Sequence, residues 1–167
     1  MTTTRGLLRL LHFIGLAMFL GSIFGHIVLG MLPGAETDRP TIVLVRAAIA
    51  LLTQVLTVPG VVLLVVTGLW MVGAYYGSFF RLRWLTVHQV LGALILVNTV
   101  LILRPLGTQM LEIARSLHEN NFDLGALHEL EGREATFGPI NLLLSLTTII
   151  IAIFRPAFGQ RGVKAGK

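Results

Sequence analysis

The chain has 167 residues, 54% of them hydrophobic and only 13% charged, with a mean hydropathy of +0.82. A soluble domain carries about 25% charged residues, so the composition excludes an ordinary soluble domain and points to a membrane protein. Cysteine is absent, which excludes disulfides, iron–sulfur clusters, CxxCH haem attachment and thiolate zinc sites.

Crossing ~30 Å of hydrocarbon takes about 20 apolar residues in a helix, and four stretches reach or approach that length: about 7–31, 47–73, 84–103 and 138–154. The first is longer than the ~7–15-residue core of a signal peptide. Gly30-Met31-Leu32-Pro33 offers no small-residue cleavage pattern, so this stretch reads as a retained span. Pro59-Gly60 predicts a kink in the second span. Between the third and fourth spans lies the one sizeable extramembrane segment, 104–137. Leu106, Met110, Ile113 and Leu117 mark one face of an amphipathic helix there. Leu124, Leu127 and Leu130 mark a second, short one, with Asp123 as its N-cap. Both are expected to lie on the membrane surface or to cap the bundle. The fold class is therefore all-α: a four-helix membrane bundle with an amphipathic helical outer loop, one domain over 1–158, and a basic tail over 159–167.

The charges sort by side. Arg5, Arg9, Arg81, Arg83, Arg155, Arg161, Lys164 and Lys167 fall on one side with no acid. All eight acids fall on the other, with Arg39, Arg46, Arg104, Arg115 and Arg133. The positive-inside rule then places both termini in the cytoplasm of a bacterium, with the chain in its inner membrane. The net charge of +5 is thereby explained by the lipid bilayer, without a nucleic-acid partner.

An ionisable residue inside a span is a functional-site hypothesis. His12 and His88 sit five and four residues past the starts of two spans that run the same way, so their depths match. Two imidazoles at one level are what a bis-histidine haem iron requires. The structural alternative is that each donates to a neighbouring carbonyl or reaches toward the interface. On the ligand reading, Gly15 and Phe19 on the first span and Gly92 on the third would border the cofactor. Ala17, Gly21 and Gly25 form a separate small-residue ladder, read as close helix packing. His26 shares the His12 face, roughly 21 Å away at 1.5 Å per residue. Ile102 stands at its level in the third span, so a partner for His26 would have to come from His118 or His128, making a second haem or copper site at the outer face. Thr53, Thr57 and Gly60, and Asn141, Ser145 and Thr148, make two small-polar stripes that should face the interior. No GxSxG, HExxH or Gly-rich phosphate loop occurs, and the spans hold no carboxylate.

Leu11-His12-Phe13-Ile14-Gly15 followed by Phe19-Leu20-Gly21 resembles the first helix of a small four-helix bacterial family of predicted integral membrane proteins. That family looks related to the copper-resistance CopD domain and to HemJ-type protoporphyrinogen oxidases. Trp84-Leu85-Thr86-Val87-His88 is similar to the Trp-Leu-x-x-Lys opening of the third HemJ-type helix, with His88 in place of the Lys. Thr67-Gly68-Leu69 and Phe154-Arg155-Pro156 also fit. The leading expectation is a haem b protein in electron transfer, facing a quinone or a redox partner protein. The resemblance implies two others: CopD-type copper handling, with His26, Met31, His118 and His128 meeting the metal, and porphyrinogen oxidation. A fourth is an accessory subunit of a larger membrane complex or a homo-oligomer, in which the histidines are packing residues.

Overall fold

The computed structural model describes residues 2–32, 38–77, 82–116 and 124–156. His118, Leu117, Asp123 and the basic tail lie outside them. Within them the chain is helical: α1 (Thr2–Gly30), α2 (Arg39–Leu52), α3 (Val58–Met71), α4 (Arg83–Val97), α5 (Arg104–Ser116) and α6 (Leu124–Phe154). Short π-helical turns join α2 to α3 (Thr53–Thr57), extend α3 (Val72–Tyr76) and join α4 to α5 (Asn98–Leu103). The helices therefore merge into four long rods, each apolar enough to cross a membrane: Thr3–Gly30, Arg39–Tyr76, Arg83–Ser116 and Gly125–Phe154.

Local chemistry explains the breaks. Asp38 caps α2 through Thr41, whose N and Oγ1 donate to its carboxylate at 3.2 and 2.5 Å, and Pro40 sits in the first turn, where no donor is needed. Pro59 has no N–H and crowds the preceding turn. The chain answers with the wide turn at Thr53–Thr57, which absorbs the proline inside a continuous helix. Gly77, at φ 68°, closes the second rod by donating its N–H to the Val72 carbonyl at 3.1 Å.

The two amphipathic segments of the 104–137 region neither lie flat nor fold across the bundle. They continue the third and fourth spans without interruption. Thirty-four and thirty residues in these rods extend about 50 and 45 Å, well past the hydrocarbon. The apolar faces read from sequence then meet each other and α2 at the acidic end. Ile42, Leu106, Met110, Ala114, Leu127 and Leu130 form one buried cluster, with Met110 and Ala114 fully enclosed. Arg46, buried beside it, grips Glu131 at 2.7 Å and Glu134 at 2.8 Å. Removing one partner of such a group strands the others; Arg46→Ala is expected to cost about 3 kcal/mol. Thermal unfolding in detergent checks this, and a triple Arg46→Met, Glu131→Gln, Glu134→Gln variant should recover most of the loss.

Inside the membrane the burial pattern inverts. Ser22, Thr57, Thr67, Asn98, Thr99, Asn141 and Ser145 are buried, while Phe13, Leu44, Leu69, Leu101, Leu143 and Ile153 are exposed. Lipid tails are as apolar as leucine, so nothing drives large side chains inward, and close packing with interhelical hydrogen bonds decides which face is internal. Both small-polar stripes face the interior, as their spacing predicted. The Ala17-Gly21-Gly25 ladder does not mark the main helix contact. Ala17 and Gly21 are exposed, and only Gly25 meets a neighbour, Leu52. The crossing is instead at Gly15 and Gly60, where a Cβ on either would stand 2.9 Å from the other's carbonyl oxygen. The heptad row Leu8, His12, Gly15, Phe19, Ser22 and His26, not the small-residue row, is internal on α1.

The rods associate as two pairs, α1 with α3 and α4 with α6. The pairs join chiefly at the acidic end, where α2 packs on α5. α1 also touches α6 slightly, and toward the basic end Tyr76 meets Trp84 edge-on, ring centres 6.1 Å apart.

Candidate functional site: two histidines between two helix pairs

His12 and His88 belong to different pairs, and each is fastened within its own. His12 Nδ1 lies 2.9 Å from Thr67 Oγ1 on α3. The Thr67 hydroxyl already gives its hydrogen, in a close bond, to the Leu63 carbonyl one turn back. It can therefore only accept from the ring, and His12 must carry its proton on Nδ1. His88 Nδ1 lies 3.2 Å from the Thr148 carbonyl oxygen on α6. A carbonyl cannot donate, so His88 too carries its proton on Nδ1. In the neutral form, a ring with its proton on Nδ1 keeps its lone pair on Nε2. Among the described residues neither Nε2 has a hydrogen-bond partner.

Helix faces say where these rings stand. Gly15, Met18 and Gly25 meet the second rod. His12 and Phe19 also meet it, His12 at Thr67 and Gly68 and the Phe19 backbone at Gly60. Phe19, two turns deeper than His12, is 2% exposed. On α4, His88 and Asn98 both reach α6, Asn98 Nδ2 donating to the Phe137 carbonyl at 3.1 Å. Gly92 follows His88 by one turn, and nothing stands within 4 Å of where its Cβ would be. Gly68 borders the His12 ring, a Cβ there falling 3.5 Å from Cε1. Gly15, expected beside the cofactor, is occupied by Gly60 and holds the helix crossing.

At the rim of this end, aromatic side chains carry cations. Arg5 lies over Tyr75 at 5.1 Å and Arg155 over Trp84 at 5.4 Å. This is the composition of a membrane–water interface.

The acidic end looks different. His26 Nε2 is 3.5 Å from Ser22 Oγ and 3.4 Å from Thr53 Oγ1, and Ser22 is hydrogen-bonded to Thr57. His128 is more than half exposed and stands 4.0 Å from Glu131, its i,i+3 neighbour. The two histidines thus have separate partners. No group of three or more His, Asp or Glu among the described residues is placed to hold a metal ion. Sequence reasoning missed the Arg46 fork and the two anchors of the ligand candidates. Arg46 was legible as a lone cation on the apolar row Ile42, Val45 and Ile49. Thr148 was visible as part of a polar stripe, but its acceptor is a backbone carbonyl, which no residue type announces.

A family model described as predicted integral membrane protein (DUF2269) matches residues 6–156. The chain belongs to this family. The match reaches all four rods. No curated protein and no solved structure matches the chain.

Proposed function

We propose that the protein binds haem b within the membrane and transfers electrons, with His12 and His88 as the axial ligands. The observation that carries this reading is the pair of hydrogen bonds at Nδ1, to Thr67 Oγ1 and to the Thr148 carbonyl. A metal-ligating histidine donates its other ring N–H to a carbonyl or a comparable acceptor, which orients the ring and raises its basicity. Both rings have such a bond at Nδ1, and both keep Nε2 for a metal. Neutral imidazoles carry no charge into the low-dielectric interior. The slight contact between the pairs and the open side of Gly92 suit a flat group between α1 and α4. When bound, haem would supply a one-electron couple. The chain's part is to hold the two nitrogens, exclude water with Phe19 and the surrounding apolar side chains, and set the donor bonds at Nδ1.

The charge asymmetry supports insertion in a bacterial inner membrane with the basic end and both termini cytoplasmic. The site would then lie near the cytoplasmic face, within reach of a quinone or a redox partner protein. The test is an absorption spectrum of the purified protein in detergent, before and after haem is added. A Soret band is expected. Its absence in both samples overturns the reading, and copper without haem in a metal analysis would replace it with copper handling.

A further inference from the structure

The fourth rod ends on a residue that local backbone chemistry does not favour. Arg155 follows the last residue of α6 with φ 44°, and among the described residues it is the one non-glycine in the left-handed region. Its N–H closes the helix on the Ile151 carbonyl at 3.0 Å. Glycine is the usual occupant of such a terminus, because a Cβ crowds the following carbonyl there. An arginine held in that conformation points to a use for its side chain.

The Arg155 guanidinium lies over the Trp84 ring at the start of α4, 5.4 Å from its centre. Tyr76 meets the same indole edge-on. Stacking takes up a face of the guanidinium and leaves its in-plane N–H groups free. Arg155 is exposed, and its side chain makes no hydrogen bond or ion pair with any described residue. The sequence beyond it adds Arg161, Lys164 and Lys167 and no acid.

The surroundings say which acceptor fits. Ile153 and Phe154, immediately before Arg155, are 67% and 75% exposed, so apolar surface runs up to the cation. Tryptophan and tyrosine at the ends of spans mark the headgroup level of a bilayer. A phosphate joined to acyl chains matches both parts of this surface, and its oxygens fit the planar guanidinium fork. The charge of the headgroup is restricted too. A choline or ammonium group would be drawn to an indole face, but this indole already carries Arg155, which repels a second cation.

We infer that Arg155 and Trp84 form a binding site for an anionic phospholipid, with the headgroup phosphate on the guanidinium and the acyl chains along Ile153 and Phe154. Neither histidine takes part, so this site stands or falls apart from the haem reading.

The full-length protein in detergent is titrated with phosphatidylglycerol and, separately, with phosphatidylcholine of the same acyl chains, and bound lipid is followed by native mass spectrometry. Wild type is expected to hold phosphatidylglycerol about tenfold more tightly, the scale of a hydrogen bond between charged groups. Arg155→Gly removes the guanidinium and suits the left-handed backbone. Its thermal unfolding should be unchanged or raised while the lipid preference is lost. Arg155→Gln should lose the preference equally, which separates the charge from the backbone. Arg133→Gln, the same loss of charge at the acidic end, should keep it. Equal binding of the two lipids by wild type overturns the proposal. So does a preference that survives in either Arg155 variant, or one that falls as far in Arg133→Gln, as a diffuse effect of net charge would.

Discussion

His88→Ala and His12→Ala are each expected to abolish the six-coordinate haem spectrum, with the Soret band lost or broadened in either variant. The neighbouring threonines separate ligand from support. Thr67 accepts the His12 Nδ1 hydrogen through its side chain, so Thr67→Val frees that ring to rotate. Haem affinity should fall 10–100-fold, the usual cost of losing a bond that orients a ligand, while the spectral type of the bound fraction is kept. His88 leans on the Thr148 carbonyl instead. The Thr148 hydroxyl bonds elsewhere, to the Leu144 carbonyl at 2.7 Å. Thr148→Val therefore leaves haem affinity within about twofold, since it keeps the bond that matters. Titration of each variant by its Soret absorbance checks the pattern. Equal behaviour of the two valine variants would overturn the tautomer assignment, and an unchanged band in either histidine variant would remove that residue as a ligand.

Gly15→Ala and Gly60→Ala are expected to be the most destabilising methyl additions in the membrane. At each position the new carbon would lie 2.9 Å from a backbone oxygen on the facing helix, which cannot swing aside as a side-chain end could. The rods must separate, at about 1–3 kcal/mol for an overpacked site, and Gly15→Leu should fail to fold. Gly21→Ala is the control. Nothing lies within 4 Å of its Cβ position, and alanine favours a helix over glycine by about 1 kcal/mol. It should be neutral or stabilising in a detergent thermal-unfolding series. A destabilised Gly21→Ala would mean that the Ala17-Gly21-Gly25 face is covered by another helix. The same variants run through the haem titration would show whether the α1–α3 crossing also sets the His12 position, because His12 and Gly15 lie three residues apart on one face.

Much of the acidic-end hairpin was legible, but not how it is disposed. Leu106, Met110 and Ile113 announced an apolar helical face by their spacing, and so did Leu127 and Leu130. Whether that face would lie on lipid or meet another helix depends on whether the span continues through Arg104-Pro105. It does, because a proline early in a new α-helical stretch removes only a hydrogen bond that the π turn before it has already given up. The small-residue ladder on α1 misled for a related reason. Spacing identifies a face that permits close approach, and the opposing surface decides whether anything approaches.

Composition, apolar run length and the one-sided distribution of arginine and lysine were enough to determine an all-α, four-span membrane protein. These properties are one-dimensional: bilayer thickness sets the length of each run, and backbone hydrogen bonding in lipid leaves the helix as its form. The matched positions of His12 and His88 were also legible, since two spans that start on the same side keep a common ruler of 1.5 Å per residue. Only the tertiary structure decided which helices pair, that Gly15 meets Gly60, that Arg46 closes on Glu131 and Glu134, and which nitrogen of each imidazole keeps its lone pair. Each of these depends on what stands across the gap. For His88 the deciding atom is a backbone carbonyl sixty residues away in sequence, a group that every residue possesses and that only the fold brings into place.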